Sequence, residues 1–435
     1  MAKLAINGGK PAVPKGIKRR WPIYDGAEKR ALIEVLESGR WCSRLNPEGR
    51  VAEVEKEFAK LVGTKYCRAV SSGTTALELA IRACDIGFGD EIIVPAVTFL
   101  ATATSVITSG AVPIFVDIDP ESYQISPDAV EAAITERTRA ILPVHYGGYP
   151  ADMDRITEIA NKHDLFVIED SAEAHGTEWR GRKVGSIGNI ACFSFQMGKP
   201  LTCGEGGAIT YDEEALDVDT FSLTRTMKTP RGEKTCYLPT GNWRMSEFAG
   251  AVLLVQLSRF KEQTEIRHQN GEYFARELEK IEGLSPLKRD PRITKQGYFF
   301  YLFKYDSAKW NGIHRNHFME ALRAEGVACG TAHNEPLYQN PIFRDIKKSY
   351  LTVPDVDYAS FHCPEAERIH ENEVVAMLNH VLMERKSVDQ ILEAIHKLRD
   401  NIDELKSSGS EVKRNSRTRG LRSLVQRVAN NIAQV

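Results

Sequence analysis

Between about residues 66 and 210, short apolar runs alternate with longer stretches whose apolar side chains recur at helical spacing. The runs are rich in β-branched residues and have the length of strands, whereas the stretches between them have the length of helices. The predicted strands span residues 67–70, 91–95, 112–116, 140–144, 166–169, 190–195 and 207–210. The predicted helices span residues 75–84, 101–109, 127–134 and 152–163. This alternation predicts an α/β fold with a mainly parallel, seven-stranded sheet that is buried on both faces.

The second half of the chain follows a different pattern. A long helical pattern runs from Met245 to about residue 281, and a smaller α/β segment with a strand at 298–304 follows it. We therefore predict an N-terminal arm and large domain over residues 1–255 and a small C-terminal domain over residues 256–400. Residues 401–435 form a basic tail that is predicted to be disordered. Apolar residues recur at helical spacing between Leu421 and Ile432, which predicts a short amphipathic helix within this tail.

Composition narrows the class of protein. The chain has 435 residues, of which 42% are hydrophobic, and it carries 57 Lys and Arg against 59 Asp and Glu. These values exclude wholesale disorder, and they give no global reason to expect a nucleic acid or an anionic membrane as partner. Eight cysteines without a Cys-x-x-Cys pair favour neither a disulfide scaffold nor a metal site. The uncharged stretch 92–116 is broken by Pro, Gly, Ser and Thr, so we expect a cytoplasmic protein without a membrane span.

Ser72, Gly73 and Thr74 lie where a predicted strand ends and a helix begins. Backbone N–H groups at the start of a helix have no intrahelical acceptor, so they suit a phosphate, and a glycine allows close approach. The alternative interpretation is an ordinary Ser/Thr helix cap.

Two further residues have a chemical and a structural interpretation. Asp170 ends an apolar strand, where it could hold the protonated nitrogen of a pyridine cofactor, or simply be solvated or cap the next helix. Lys199 follows another apolar strand and precedes a turn with three glycines; it is either a surface lysine or a Schiff-base lysine of lowered pKa. Together with the phosphate cradle, these residues form the set that a pyridoxal-phosphate enzyme needs.

The sequence from about Leu4 to Leu398 resembles the DegT/DnrJ/EryC1/StrS family of pyridoxal-phosphate-dependent sugar aminotransferases. The motifs that carry the resemblance are Ser72-Gly-Thr-Thr-Ala-Leu77, Pro95-Ala-Val-Thr-Phe99, Pro143-Val-His-Tyr-Gly147, Glu169-Asp-Ser-Ala-Glu-Ala-His-Gly176, Phe193-Ser-Phe-Gln196, Lys199, Gly204-Glu-Gly-Gly207 and Gly241-Asn-Trp-Arg-Met245. The resemblance implies the type I fold of these transferases, similar to that of aspartate aminotransferase. Within the family, the chain looks similar to the branch of glutamine:scyllo-inosose aminotransferases and 3-amino-5-hydroxybenzoate synthases.

The resemblance also implies a role for each matched residue. Lys199 would bond the cofactor covalently and move the proton, and Asp170 would pair with the ring nitrogen. Phe99 would stack on the ring, although its alternative role is to fill the core. Gly73, Thr74 and Ser194 would bind the phosphate. Asn242 would reach the phosphate of a neighbouring subunit, which implies a homodimer with shared active sites.

Four other positions are open to more than one interpretation. Glu173 stands near the cofactor's 3′-oxygen, where relatives of this branch carry Gln or His; it could be protonated, turn away or contact the substrate. His333 and Tyr338 are candidates for the sugar pocket, and Arg244 is a candidate for an anion contact or a structural ion pair.

The resemblance implies a ping-pong aminotransferase. Glutamine or glutamate would donate the amino group, and a ketone on a cyclitol or sugar, similar to scyllo-inosose, would accept it. One alternative is a nucleotide-linked keto-sugar acceptor, and another is a regulatory module that binds the cofactor without catalysis. For the basic tail, a solvated segment is the simplest interpretation, and weak association with membrane or nucleic acid is the alternative.

Overall fold

The computed structural model of the chain describes residues 3–17, 21–43, 46–224, 241–333, 335–347 and 356–408. The strands are β1 (Tyr66–Val70), β2 (Glu91–Pro95), β3 (Val112–Val116), β4 (Thr138–Ile141), β5 (Phe166–Asp170), β6 (Glu178–Trp179), β7 (Arg182–Lys183), β8 (Ile190–Ser194), β9 (Gly207–Tyr211), β10 (Leu284–Pro286), β11 (Ile293–Lys295), β12 (Phe300–Tyr305) and β13 (Val374–Leu378). Eight of these strands, the seven of the large sheet and β12, match the predicted ones to within a few residues.

The seven-stranded sheet has the order β1-β9-β8-β5-β4-β2-β3. Every strand runs parallel except β9, which pairs antiparallel with both β1 and β8. The prediction of a mainly parallel sheet is therefore confirmed. All five residues of β2, β8 and β9 are buried, which explains why these strands read as continuous apolar runs rather than as alternating patterns.

Helices pack against this sheet and, in the C-terminal part of the chain, form a second core. The helices of the described residues are α1 (Gly26–Ser38), α2 (Arg50–Val62), α3 (Gly73–Ala83), α4 (Ala101–Thr108), α5 (Pro127–Ala132), α6 (Met153–His163), α7 (Glu214–Thr224), α8 (Glu247–Leu278), α9 (Arg315–Ala324), α10 (Pro341–Arg344), α11 (Pro364–Arg368) and α12 (Arg385–Asp400). Shorter turns of 3-10 helix lie at Ala5–Asn7, Tyr146–Gly148, Ser307–Trp310, Leu337–Gln339, Tyr358–Ser360 and Asn379–Met383, and one π turn lies at Ile369–Glu373. Across the ranges that the structure describes, no helix combines the length and the apolarity that a bilayer crossing requires.

A second core surrounds the antiparallel sheet β10-β12-β13 and the helices α9 and α12. The N-terminal arm packs into this core, because Leu4 and Val13 are members of the same apolar cluster. The buried carboxylate of Glu325 fixes the arm by accepting hydrogen bonds from the N–H groups of Ala5 and Ala12, each at 2.8 Å. The arm thus packs with the C-terminal part of the chain, a contact that the sequence pattern does not predict.

The end of the described chain also differs from the prediction. A disordered tail is predicted from residue 401, yet residues 402–408 are helical. The reason is apolar burial, since Leu405 is fully buried in the second core, together with hydrogen bonds from His317 Nε2 to the Leu405 carbonyl and the Ser408 hydroxyl. The remaining basic tail and its predicted terminal helix, residues 409–435, lie outside the described residues.

Candidate active site

A cavity of about 470 Å³ opens where α3 begins and where β5 and β8 end. Its position at the carboxyl ends of parallel strands is where open α/β sheets bind ligands. Eight of the predicted site residues line this one cavity: Gly73, Thr74, Phe99, Asp170, Glu173, Ser194, Lys199 and His333. Residues that lie up to 260 positions apart in the sequence therefore meet at one place.

The start of α3 forms one wall of the cavity. The Ser72 hydroxyl caps the helix by accepting a hydrogen bond from the Thr75 N–H at 3.1 Å, which leaves the earlier N–H groups without an intrahelical acceptor. A Cβ atom at Gly73 would lie 2.7 Å from Cβ of Ser194, so only glycine lets the helix approach the end of β8 this closely. This wall is both a capped helix and a potential anion cradle, so the two sequence interpretations are compatible.

Asp170 is buried at the base of the cavity, at the end of β5. Its Oδ2 accepts a hydrogen bond from the Thr102 hydroxyl at 2.9 Å, and its Oδ1 accepts one from the Ala172 N–H at 3.2 Å. Burial raises the pKa of Asp170, and the hydrogen bonds oppose this effect only in part. The Thr98 hydroxyl lies 3.0 Å from that of Thr102, which extends the polar chain into the cavity wall.

The amino group of Lys199 lies between a carboxylate and an aromatic ring. Its Nζ is 3.3 Å from Oε1 of Glu173 and 4.0 Å from the centroid of the Phe299 ring. Both neighbours stabilise a positive charge, the first by Coulomb attraction and the second through the ring's electron-rich face. The structure therefore holds Lys199 with its terminal nitrogen inside the cavity, not on the open surface.

Glu173 is buried and faces inward. Its Oε1 lies 3.1 Å from Nε2 of His333, and its Oε2 accepts a hydrogen bond from the Gly147 N–H at 2.8 Å. Burial acts to raise the pKa of Glu173, but Lys199, His333 and Gly147 outweigh it and hold this pKa at about 2. Of the alternatives open at this position, this arrangement favours an inward-facing, ionised Glu173 that pairs with Lys199.

His333 is enclosed by three aromatic rings. Their centroids lie 5.7 Å (Phe99), 5.4 Å (Tyr146) and 5.6 Å (Phe300) from that of the imidazole. Phe99 keeps 52% of its surface exposed even though it lies beside the cavity. An exposed aromatic face at a cavity wall is available to a flat ligand, whereas a residue that only fills the core is not.

Three predicted site residues lie elsewhere. Tyr338 is buried against Phe115, its hydroxyl donates to Glu367 at 2.5 Å, and it does not line the cavity. Arg244 is not part of the cavity lining, and its Nη1 donates to the Thr224 carbonyl at 3.1 Å, which is a structural contact and not one to a ligand. Asn242 is exposed, and its predicted role concerns a second copy of the chain.

The sequence did not reveal Thr102 and Phe299 as site residues. Thr102 lies on the first turn of α4, whereas Thr98 lies before this helix begins, so no helical spacing marks the two hydroxyls in the sequence. Phe299 comes from the second half of the chain, and no local pattern links it to Lys199. Its contact is a consequence of tertiary packing alone.

Two histidines of the sequence motifs, His145 and His175, lie outside the cavity lining. His145 Nε2 lies 3.0 Å from Oε2 of Glu169, and its Nδ1 accepts a hydrogen bond from the Ala151 N–H, so both nitrogens are engaged in a fully buried pair. His175 is buried against the rings of Phe193 and Phe195, and burial lowers its pKa to about 3.

Solved structures and curated proteins resemble this chain over most of its length. The crystal structure of 3-amino-5-hydroxybenzoic acid synthase is 32% identical, with a TM-score of 0.77, and the match covers 88% of this chain and 100% of that one. The aminotransferase from Psychrobacter cryohalolentis is 30% identical, with a TM-score of 0.80, over 88% of this chain and 99% of that one. L-glutamine:scyllo-inosose aminotransferase from Streptomyces griseus is 35% identical over 93% of this chain and 99% of that protein.

The fold, the cavity and these likenesses define the chain as an aminotransferase with the type I fold of the pyridoxal-phosphate-dependent transferases. It belongs to the DegT/DnrJ/EryC1/StrS aminotransferase family, whose model matches residues 22–396. The resemblance seen in the sequence motifs is thereby confirmed.

Proposed function

We propose that the chain uses pyridoxal 5′-phosphate to move an amino group from glutamine or glutamate to a ketone on a cyclitol or sugar, in two half-reactions. The observation that carries this proposal is the meeting of Lys199, Asp170 and the start of α3 in one cavity. An amine, a buried carboxylate and a set of free N–H groups are the three partners that this cofactor requires.

The residues present fit the cofactor. The backbone at Gly73 and Thr74 and the Ser194 hydroxyl would hold its phosphate, since all three line the cavity at the amino end of α3. Asp170 would hold the ring nitrogen. Burial raises the pKa of this carboxylate because it makes the charged form costly. A cationic partner offsets that cost and therefore stabilises the ionised carboxylate. Phe99 would cover one face of the ring.

When bound, the cofactor supplies an electron sink that stabilises negative charge on the substrate carbon. Lys199 supplies the nucleophile and the proton carrier. Its Nζ must lose a proton before it can bond a carbonyl carbon or accept a proton from the substrate. Glu173 and the Phe299 ring hold this nitrogen in place in its charged form, so it occupies a defined position before it reacts.

The substrate class rests on the relatives. One relative is an L-glutamine:scyllo-inosose aminotransferase, at 35% identity over nearly its whole length. A cyclitol ketone presents several hydroxyl groups, and the Glu173 and His333 side chains at the cavity edge can bind such groups by hydrogen bonds. This supports a polyhydroxylated ring as the acceptor.

A donor and acceptor panel tests the proposal. We expect glutamine or glutamate to convert added scyllo-inosose to an amino product that mass spectrometry detects, and Lys199→Ala to reduce turnover about 10³-fold or more. Lys183→Ala, at an ion-paired lysine on β7, is the matched control and keeps activity. Turnover of a nucleotide-linked keto-sugar alone would favour that acceptor class instead, and cofactor binding without turnover of any ketone would indicate a binding module.

We also infer a cytoplasmic homodimer. Leu36 and Trp41 are more than half exposed, and Trp41 lies against Phe248 with a centroid distance of 5.8 Å, which forms an apolar patch that a second copy could cover. The exposed Asn242 is then free to reach the partner's cofactor phosphate. Light scattering should give a dimer that Trp41→Glu dissociates, whereas Asn242→Ala should weaken cofactor binding and leave the mass unchanged.

The proposed cytoplasmic location is supported by the cysteines. The seven cysteines in the described ranges are free thiols, which is typical of a reducing compartment. Cell fractionation tests this location.

A further inference from the structure

One oxygen atom of Glu173 serves two nitrogen bases. Oε1 lies 3.3 Å from Nζ of Lys199 and 3.1 Å from Nε2 of His333, while Oε2 is occupied by the Gly147 N–H at 2.8 Å. In this arrangement the two bases do not divide the carboxylate between its two oxygens. They share one acceptor atom inside a buried site, where the charge of one strongly affects the other.

The other groups that face His333 carry no competing charge. Tyr146 accepts a hydrogen bond from the His333 backbone N–H at 3.4 Å, and its hydroxyl stays neutral because burial raises its pKa. The Phe99 and Phe300 rings are neutral. Asp170 acts on Lys199 and Glu173. Among the described groups around His333, the charged side chains that meet at the imidazole are thus Glu173, which it contacts, and Lys199, which contacts the same oxygen.

The contact with Glu173 favours one tautomer of the His333 imidazole. The pairing of Glu173 with Lys199 favours the ionised carboxylate, whose Oε1 accepts, so that Nε2 of His333 donates. Neutral His333 is therefore the Nε2–H tautomer, and any further proton is gained at Nδ1. While Lys199 is an ammonium group, it satisfies the charge of Glu173. Once Lys199 is neutral, the buried carboxylate lacks a cation, which is a costly state.

We propose that His333 is a positioning residue whose protonation alternates with that of Lys199, so that Glu173 faces one cation at every stage. The proposal rests on the proposed role of Lys199. When an N–H bond breaks at Nζ of Lys199, one forms at Nδ1 of His333, the proton passing through solvent because Nε2 already bears its hydrogen. Glu173 stays ionised, and the summed charge of the three side chains does not change.

The aromatic enclosure suits this role. Three ring faces and edges around the imidazole stabilise an imidazolium by cation–π attraction, and they fix its direction toward Glu173. The contact between His333 and Glu173 can then persist while the positive charge moves between Lys199 and His333. The cavity therefore keeps its shape between the two half-reactions.

The test is the pKa of His333 in the full-length protein, measured by NMR with 13C-labelled histidine and assigned through His333→Asn. Replacing the ammonium group in Lys199→Met should raise this pKa by about one to three units. Adding Glu173→Gln to that variant should abolish the increase. Lys183→Met removes a lysine on β7 that pairs with Glu178, and should leave His333 unchanged.

A second measurement needs no variant. Adding pyridoxal phosphate to the wild-type protein at pH 8 should move the His333 signal to that of an imidazolium. An unchanged pKa in Lys199→Met, or an increase that persists in the double variant, would overturn the coupling. A protein that shows the coupling in Lys199→Met but binds no cofactor would instead refute the proposed function, so the two failures are distinguishable.

Discussion

The hydroxyl of Thr102 donates a hydrogen bond to Oδ2 of Asp170 at 2.9 Å, across the base of the cavity. Asp170 is the carboxylate that we assign to the ring nitrogen of the cofactor. Thr102 thereby links the first turn of α4 to the end of β5. Its hydrogen bond lowers the pKa of Asp170, which burial raises.

Thr102→Val should weaken cofactor binding. The variant keeps the shape of the side chain but leaves a buried carboxylate oxygen without its donor, at a cost of about 1.5–3 kcal/mol, or 10- to 100-fold in affinity. Equilibrium titration with pyridoxal phosphate measures this effect. Thr102→Ser restores the donor and should bind as the wild type does, and equal affinity of the Val and Ser variants would contradict the assignment.

Gly73→Ala should destabilise the protein by about 1–3 kcal/mol and weaken phosphate binding. The new Cβ would lie 2.7 Å from Cβ of Ser194, so α3 must move away from β8. Urea unfolding and phosphate titration measure the two effects. Gly330→Ala is the control, because a Cβ there meets no atom within 4 Å. Equal stability and equal phosphate affinity of the Gly73→Ala and Gly330→Ala variants would show that the close approach of α3 to Ser194 is not required.

His175 should make the folded state less stable at acid pH. Burial lowers its pKa to about 3, whereas the unfolded chain binds a proton near pH 6.5. Between these values the unfolded state binds more protons, so stability falls as the pH is lowered from 6.5 toward 3. From pH 7.5 to 4.5 the loss should be about 3 kcal/mol. His175→Leu should remove this part of the pH dependence in urea unfolding, and His163→Leu, at an exposed site on α6, should retain it.

Glu325→Ala should release the N-terminal arm. The fully buried Glu325 side chain accepts hydrogen bonds from Ala5 and Ala12 and pairs with Lys397 at 2.7 Å. Its removal leaves the half-buried ammonium group without its carboxylate and with only the Lys10 carbonyl as acceptor. We expect a loss of about 3–5 kcal/mol in unfolding free energy and faster proteolysis within residues 3–17. Glu320→Ala, at the exposed partner of His317, should change neither measurement.

Tyr338→Phe should affect stability but not substrate affinity. Its hydroxyl donates to Glu367 and accepts a hydrogen bond from the buried Cys363 N–H at 3.0 Å, so its loss should cost about 1–3 kcal/mol in unfolding free energy. The KM for the ketone should stay within twofold of the wild-type value. A large increase in KM without loss of stability would indicate that Tyr338 contacts the substrate.

The sequence predicted the sheet and much of the cavity because both depend on local signals. Continuous apolar runs mark strands such as β2 and β8, and their carboxyl ends are known once the sheet is known to be parallel. The reversed direction of β9 was not predictable in this way, since an apolar run reads the same in both directions. Asp170 and Lys199 were identified because charged residues next to buried strands stand out.

The misplaced and missed residues depend on contacts between distant segments. Tyr338 is a candidate for the sugar pocket from the sequence, but its ring packs in the aromatic cluster around Phe115, which no local pattern reveals. Phe299 contacts Lys199 across 100 residues of sequence. The state of Glu173 likewise required knowledge of Lys199, His333 and Gly147 together, because each alters the balance between desolvation and charge.

The shared core of the two chain ends has a consequence for synthesis on the ribosome. Leu4 leaves the ribosome about 400 residues before Leu405, which belongs to the same apolar cluster. At about 5–20 residues per second, the arm waits roughly 20–80 s for its binding site to exist. The large sheet can form during that interval, whereas the C-terminal core closes only after nearly the whole chain has been translated.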